Sequence, residues 1–370
     1  MTMKYGVCLL CVILICASVF GCDSESDIQP SSGLTISLDM PETPKHVPSY
    51  YRAEKMYLDT DGLVDYFFAG ESPLQPEMEN ITGEVFYTVQ GNESKYLTNY
   101  NGGLISQLSG ADAYFGGFSF TYTEKTSVYW TYQTWNSTRR GYPNEIYSQE
   151  SDLDFMTRNE ATAKVRSILD QWGLEQMAPV EILSLDVATL QARTDEWVEE
   201  TNRYNQIVSS QGGSLREEMK SYRFTAEEEG YLFYCALEED GFLFCDFDTR
   251  MGLSIVPNGS ILYGREGVID AHFQDVVDVT EAGEEAAVVS AQSCLDAYIE
   301  EWNQNLEADP IELTMMGLYY ISSGSGESDH WDFFPVWILE VRSELVNEYG
   351  IQYVDYRYSI WDAITGERMA

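Results

Sequence analysis

The chain has 370 residues, of which 44% are hydrophobic and 14% aromatic, so it is long enough for two or three domains with a sizeable core. Acidic side chains outnumber basic ones by 61 to 21, which gives a formal net charge of -40. Nucleic acids and anionic lipid surfaces attract basic proteins, so this charge argues against electrostatic docking on either.

The first 21 residues have the features of a secretory leader. Lys4 precedes an apolar run over residues 7–20, a length that suits the core of a signal peptide and is short for a membrane-spanning helix, which needs about 20 residues. The run ends at Gly21 and Cys22 in a junction that resembles a bacterial lipobox, although Phe20 departs from its usual small residue. We predict a signal peptide over residues 1–21 and lipidation of Cys22. An ordinary leader followed by an incidental cysteine is the alternative.

The residues after Cys22 predict a tether and three folded segments. Residues 22–33 are polar and rich in serine, which is typical of a flexible linker. Stable anchoring at Cys22 implies more than one acyl chain, because a single chain binds membranes only marginally. The remainder is predicted to form an N-terminal α+β domain over residues 34–155 and two similar units over residues 156–279 and 280–370.

The N-terminal segment mixes a helical pattern with strand patterns. Residues 50–68 predict a helix that is interrupted near residues 60–62. Alternating β-branched and aromatic residues then predict strands at residues 84–90, 96–100, 114–122 and 127–132.

Two later stretches resemble each other. Residues 168–172 (ILDQW) and 179–183 (PVEIL) recur in the same order as residues 298–302 (YIEEW) and 310–314 (PIELT), which indicates a duplicated unit. Each copy begins with a predicted amphipathic helix, and a proline then starts a β-branched run. The apolar stripe of the first helix comprises Ala161, Val165, Ile168, Leu169 and Trp172, and that of the second comprises Ala287, Val288, Ala291, Leu295, Tyr298, Ile299 and Trp302.

Local signals define the ends of these helices. Thr157 and Glu160 fit a capping box, and Gly173 fits a C-terminal stop. Trp302 is predicted to anchor the second helix, and Cys294, beside its stripe, is predicted to be a buried free thiol.

The first copy continues with a predicted hairpin. Residues 231–237 and 242–247 flank an acidic turn, and residues 259–263 predict a third strand. Residues 189–220 form an insertion between helix and hairpin, in which residues 194–208 predict an exposed helix.

The turn decides where Cys235 and Cys245 lie. A three-residue loop through Glu239, Asp240 and Gly241 would place the two cysteines directly opposite each other, as a candidate disulfide. A two-residue turn at Asp240 and Gly241 would place them on opposite faces of the sheet. We expect the first register, with a formed bond as the less favoured outcome.

The last forty residues carry the clearest family resemblance. Residues 335–341 predict an edge strand that opens with Pro335, and residues 353–361 predict a second strand. Residues 362–367 (DAITGE) follow, with Gly366 at a turn that favours positive φ. The order of helix, strand, Pro-x-Trp strand and this ending resembles the PepSY-like modules of extracytoplasmic Gram-positive proteins and of membrane-tethered regulators of cell-wall sensor kinases.

The resemblance is best over residues 280–370, weaker over residues 157–270 and absent from the first 150. It implies an α+β fold, with tandem modules of a helix packed on an antiparallel β-sheet. The whole chain is similar to uncharacterised lipoproteins of clostridia-type bacteria. Such modules inhibit proteases or modulate partner proteins, and the resemblance supplies no active-site residues.

The sequence shows no motif for catalysis. Its three histidines are His46, His272 and His330, and a metal site at His330 and Asp332 is less favoured than a polar loop. We therefore predict a non-enzymatic protein with no cofactor and no metal.

The predicted function is that of a membrane-tethered extracytoplasmic lipoprotein that binds or regulates a protein such as a sensor kinase or protease. One alternative is carbohydrate binding through Trp130, Trp135 and nearby tyrosines. The other is a secreted hydrolase with an unrecognised pair of acids.

Overall fold

The computed structural model describes residues 33–56, 59–73, 85–89, 92–101, 118–123, 151–210, 228–247, 255–256, 259–304, 310–322, 330–346, 350 and 352–369. Cys22, Trp130, Trp135, the predicted leader, the tether before Gly33 and the strand predicted at residues 127–132 lie outside these ranges.

The described residues form four helices and sixteen strands. The helices are α1 (Thr60–Phe67), α2 (Arg158–Gln171), α3 (Val187–Ser210) and α4 (Ala291–Gln304). The strands are β1 (Leu34–Ile36), β2 (His46–Pro48), β3 (Tyr51–Lys55), β4 (Val85–Val89), β5 (Asn92–Asn101), β6 (Phe118–Thr123), β7 (Met177–Leu185), β8 (Gly230–Glu239), β9 (Phe242–Phe247), β10 (Ile255–Val256), β11 (Gly259–Gly264), β12 (Gly267–Ala282), β13 (Glu285–Ala287), β14 (Ile311–Ser322), β15 (His330–Val346) and β16 (Gln352–Asp362).

The fold is mostly β, so the predicted α+β class of tandem helix-on-sheet modules is wrong. About 50% of the described residues are in strands and 26% in helices. Fourteen strands belong to one mixed sheet, in which β9 pairs with β14 in parallel. Separate modules would each keep a sheet of their own, whereas β3 from the N-terminal segment pairs with β12 and with β15.

Seven strands of this sheet form a ring in the order β11-β8-β9-β14-β15-β3-β12, which pairing between β12 and β11 closes. One continuous core contains buried residues from every strand of the ring, among them Tyr51, Phe233 and Phe273. Helix α1 adds Leu63 and Phe67 to this core. The ring therefore buries one shared face, which the separate predicted segments could not bury alone.

The two related helices occupy corresponding places. Each precedes a strand that pairs antiparallel with the next strand of its unit: α2 precedes β7, which pairs with β8, and α4 precedes β14, which pairs with β15. The five stripe residues predicted for α2 are all buried, and the Thr157–Glu160 capping box is present. Gly173 has a φ of 72°, as its predicted role requires.

Helix α4 follows its prediction in part. It begins at Ala291, and Ala287 lies instead in β13, paired with His46 of β2. Ala291, Leu295, Tyr298 and Ile299 are buried, and Cys294 is a buried free thiol as predicted. Trp302 is only half-buried at the margin of this core.

The predicted helix over residues 50–68 is wrong in its first half. Tyr51 and Ala53 are buried while Arg52 and Glu54 are not, an alternation that belongs to a strand. Among the described residues of this stretch, only Thr60–Phe67 are helical. The strands predicted at residues 84–90, 96–100 and 114–122 correspond to β4, β5 and β6.

Strand β15 is central, although Pro335 predicted an edge strand. It pairs with β14, β16 and β3. The Pro335 carbonyl accepts the Ala363 amide at 3.0 Å, and the Ala363 carbonyl accepts the Val289 amide at 2.8 Å. Proline has no N–H that could donate to the Ala363 carbonyl. The Ala363 carbonyl is therefore available to Val289, in the segment that leads into α4.

The β8–β9 hairpin exists as predicted, but its expected register is wrong. Asp240 and Gly241 form a two-residue turn with φ of 51° and 81°, and Glu239 pairs with Phe242. Cys235 belongs to the core of the ring and Cys245 to a separate cluster with Ile321 and Val336. Neither cysteine is in a disulfide, because this register places them on opposite faces of the sheet.

Candidate functional site: the β3 cluster

Strand β3 places polar side chains on one side and aromatic ones on the other. Arg52 lies opposite Glu281 of β12 and Asp332 of β15 in the two ladders. Tyr51 points to the buried face and lies opposite Phe333. We call Tyr50, Arg52, Glu281 and Asp332 the outer β3 cluster, and Tyr51, Asp240 and Tyr320 the inner β3 cluster.

In the outer β3 cluster, Arg52 bridges two carboxylates. Its Nε and Nη2 donate to Asp332 Oδ1 at 2.8 Å and Oδ2 at 3.4 Å, and its Nη1 donates to Glu281 Oε2 at 3.2 Å. Tyr50 Oη donates to the other Glu281 oxygen at 2.7 Å, and the guanidinium lies 5.6 Å from the Tyr50 ring centre. Two carboxylates thus share one cation, which leaves this partly exposed surface with an excess of negative charge.

These contacts also fix protonation states. The hydrogen bond to Asp332 is the main cause that raises the pKa of Arg52, and the hydrogen bond to Glu281 is the main cause that raises the pKa of Tyr50. Arg52 stays cationic and the Tyr50 phenol stays neutral. The cluster can therefore orient carboxylates toward a partner.

The inner β3 cluster packs aromatic side chains in the core of the ring. Tyr51 Oη donates to Asp240 Oδ2 at 3.0 Å, and Tyr320 Oη donates to the Pro48 carbonyl at 2.6 Å. The rings of Tyr51 and Tyr320 meet edge to face at 4.7 Å, and Phe244 stacks on Tyr320 at 5.3 Å. Burial raises the pKa of both tyrosines, so these neutral phenols act as structural hydrogen-bond donors.

The C-terminal DAITGE turn has a structural role. Asp362 Oδ1 accepts the amides of Ile364 and Thr365, each at 2.7 Å, and the Asp362 carbonyl accepts the Gly366 amide at 2.9 Å. Gly366 has a φ of 74°, and Trp337 Nε1 donates to the Val289 carbonyl at 2.9 Å beside the turn. The turn holds the start of α4 on β15 and offers no reactive group.

The histidines do not converge. His46 lies in β2, His272 in β12 and His330 at the start of β15, opposite Glu54. Within the described residues, no group of three or more His, Cys, Asp or Glu side chains is placed to hold a metal. In the same residues, no helix has both the length and the apolarity to cross a membrane.

The outer β3 cluster was missed in the sequence because its members lie far apart along the chain. Arg52, Glu281 and Asp332 meet only through the two ladders of β3. The one local signal was the alternation of apolar and polar residues at positions 51–54, which is typical of a half-buried strand.

Comparison with known proteins gives a fold likeness only. No family model matches the sequence, and no curated protein matches it. The chain is similar to an uncharacterized protein from Eubacterium rectale ATCC 33656, whose crystal structure was determined at 1.45 Å resolution. The TM-score is 0.57 with 14% sequence identity, and the match covers 92% of this chain and 91% of the other. At this identity the likeness extends to the fold and carries no function.

Proposed function

We propose that the protein is a membrane-tethered extracytoplasmic lipoprotein that acts by binding or regulating another protein, and that it is not an enzyme. The leader and the Gly21-Cys22 junction support the tether. The resemblance of residues 280–370 to PepSY-like modules supports a regulatory role toward a sensor kinase or a protease.

The observation that carries the binding proposal is the distribution of charge. Net charge is -40, and the basic side chains Arg52, Lys95, Arg265, Arg342 and Arg357 already pair with carboxylates of the same chain. The surplus carboxylates therefore set a negative field around the molecule, which favours encounters with basic protein surfaces.

Lipid attachment is tested by metabolic labelling with a radioactive fatty acid. We expect label in the wild type and none in Cys22→Ala. Equal incorporation into both chains would refute the anchor and leave the binding proposal to be judged separately.

The protein partner is tested by crosslinking on intact cells followed by capture of the tagged protein. A specific partner should be recovered with the wild type and lost progressively as salt is raised, because screening weakens charge-steered association. The paired variants Glu281→Gln and Glu344→Gln each remove one negative charge, the first inside the outer β3 cluster and the second outside it. Greater loss of the partner with Glu281→Gln would place the contact at the outer β3 cluster.

Carbohydrate binding through Trp130 and Trp135 and hydrolysis by an acid pair stay sequence-based predictions. A glycan array with the wild type and the Trp130→Ala variant tests the first. Recovery of a glycan ligand with no protein partner would overturn the proposed function.

A further inference from the structure

The place where the N-terminal segment joins the ring determines which end of the molecule lies nearest the lipid anchor. The Ile311 amide donates to the Gly33 carbonyl oxygen at 2.8 Å, and Leu34 pairs with Ile311 in the parallel β1–β14 ladder. A side chain at Gly33 would meet Pro310 at 3.9 Å and Trp302 at 4.0 Å. The chain therefore enters the fold where α4 ends and β14 begins.

The length of chain before Gly33 limits its distance from the membrane. From Cys22 to Gly33 the chain can span at most about 40 Å, at roughly 3.6 Å per residue. The inner β3 cluster lies at the other end of β14, where Tyr320 contacts Tyr51. From Ile311 to Tyr320 a strand extends about 25–30 Å, so that cluster lies this much farther from the point where the tether joins the fold.

Exposed apolar side chains lie at the entry end. Ser343 of β15 pairs with Ile311, and Val346 lies beyond it at the end of the strand with 61% of its surface exposed, the largest fraction among the large hydrophobic side chains described. Ile36 of β1 is 37% exposed at the same end. An apolar side chain at a lipid interface gains from removal of its surface from water, whereas one at the opposite end would gain nothing.

We infer that the end of the molecule formed by Gly33, the start of β14 and Val346 faces the lipid surface, while the outer β3 cluster faces away from it toward a partner. This orientation rests on the proposed lipid anchor at Cys22. Anionic lipids would repel the acidic surface, so the anchor keeps the chain at the membrane and the exposed apolar side chains of the entry end then favour this orientation.

The test compares two fluorescent labels on vesicles that carry a quencher on the lipid headgroups. Val346→Cys places one label at the entry end, and Glu284→Cys places the other beside Ser49, whose amide donates to the Glu284 carbonyl at 2.9 Å near β3. The native cysteines of the described residues are buried and do not compete for label. β15 extends roughly 40 Å from Val346 to Phe333, the residue opposite Tyr51. We therefore expect quenching at residue 346 to be at least about threefold stronger.

A second anchor separates this inference from the proposed function. In one arm the lipoprotein purified from membranes is used. In the other, a chain with Cys22→Ala and a histidine tag at residue 22 binds chelating lipids, so that attachment no longer depends on lipidation. If the second arm shows stronger quenching at residue 346 than at residue 284, and the native chain carries no lipid, only the proposed anchor is refuted. Equal quenching of the two labels in the second arm, or quenching of a chain with no anchor, would overturn the inferred orientation.

Discussion

Asp362 illustrates how one side chain can explain a sequence motif that carries no chemistry. Its Oδ1 accepts two backbone amides of the turn that follows β16. The same turn presents the Ala363 carbonyl to Val289, which leads into α4. A turn that docks a helix on a sheet constrains aspartate and glycine at fixed positions, which is why DAITGE resembles a fold signature.

Substitution of Asp362 tests this structural role. Asp362→Ala leaves the Ile364 and Thr365 amides without their acceptor, and we expect a loss of about 1–3 kcal/mol in the free energy of unfolding. Asp362→Asn keeps Oδ1 as an acceptor and should lose less. Urea unfolding followed by tryptophan fluorescence measures both. Equal stability of Asp362→Ala and the wild type would contradict the assigned role.

Glu239 gives a prediction for pH. Burial, and then the neighbouring Asp240 carboxylate, raise the pKa of Glu239 in the folded state. A carboxyl group with a raised folded pKa binds more protons when folded, so its contribution to stability falls as pH rises above its unfolded pKa of about 4.3. Glu239→Gln should therefore have a larger free energy of unfolding than the wild type at pH 7. This advantage should shrink as the pH falls toward the unfolded pKa of Glu239.

The matched control is Glu238→Gln on the exposed neighbouring residue, which removes the same charge from a chain that is already strongly acidic. Thermal unfolding between acid and neutral pH compares the two. An equal gain from both variants would mean that general charge repulsion, and not the burial of Glu239, is responsible.

At the scale of the elements, the two related helices differ in how deeply their tryptophans are buried. Trp172 is 5% exposed and contacts the rings of Tyr66, Phe67 and Phe273. Trp302 is half-buried near Gly33. The two tryptophans hold corresponding positions in the repeated sequence, but the surroundings supplied by other segments make their burial unequal.

Alanine substitution should expose this difference. Trp172→Ala should lower the free energy of unfolding by about 3–5 kcal/mol, as expected for a buried aromatic side chain. Trp302→Ala should lose clearly less, in contrast to the anchoring role predicted from its sequence stripe. Denaturant unfolding followed by circular dichroism reports both variants on one scale. A larger loss for Trp302→Ala would place that side chain in the core.

The hairpin gives a separate test through its thiols. Cys235, Cys245 and Cys294 are buried thiols outside any disulfide, and burial raises the pKa of Cys235 and of Cys294 to about 12. A chain that starts at residue 23 should show almost no thiol reaction when folded at pH 8 and three reactive thiols when unfolded without reductant. A thiol count that increases on reduction of the unfolded chain would reveal a disulfide and contradict the observed register.

Features of the fold that depend on nearby residues were predicted from the sequence, whereas features that depend on distant segments were not. The α2 stripe, its capping box and Gly173 depend on neighbours within a few turns, and all three were predicted. The hairpin register depends on whether Asp240 adopts positive φ, which the letters alone leave open. The arrangement around β3 depends on pairing with strands more than two hundred residues away, for which no local periodicity exists.

At the scale of the whole molecule, closure of the ring makes strands from three sequence segments depend on one another. β3 lies between β12 and β15, and its residues contribute to the same core as β8, β9 and β11. A chain of independent units would unfold in steps, whereas a shared core predicts one cooperative transition. This also means that residues 280–370 alone would lack the pairing partners that β1, β3 and β9 provide.

Substitution in β3 tests this cooperativity. Ala53 is fully buried and lies opposite Val279 of β12 and Trp331 of β15. Ala53→Glu would bury an unpaired charge, and we expect a loss of at least about 3 kcal/mol in the free energy of unfolding. Hydrogen exchange measured by mass spectrometry should show β8 and β15 losing protection together.

Arg52→Ala, on the exposed side of the same strand, is the control and should cost at most about 1 kcal/mol in the free energy of unfolding, the usual contribution of an exposed ion pair. Retention of wild-type protection in β15 and β16, with loss confined to β12 and its neighbours, would show that the C-terminal strands fold independently of the ring.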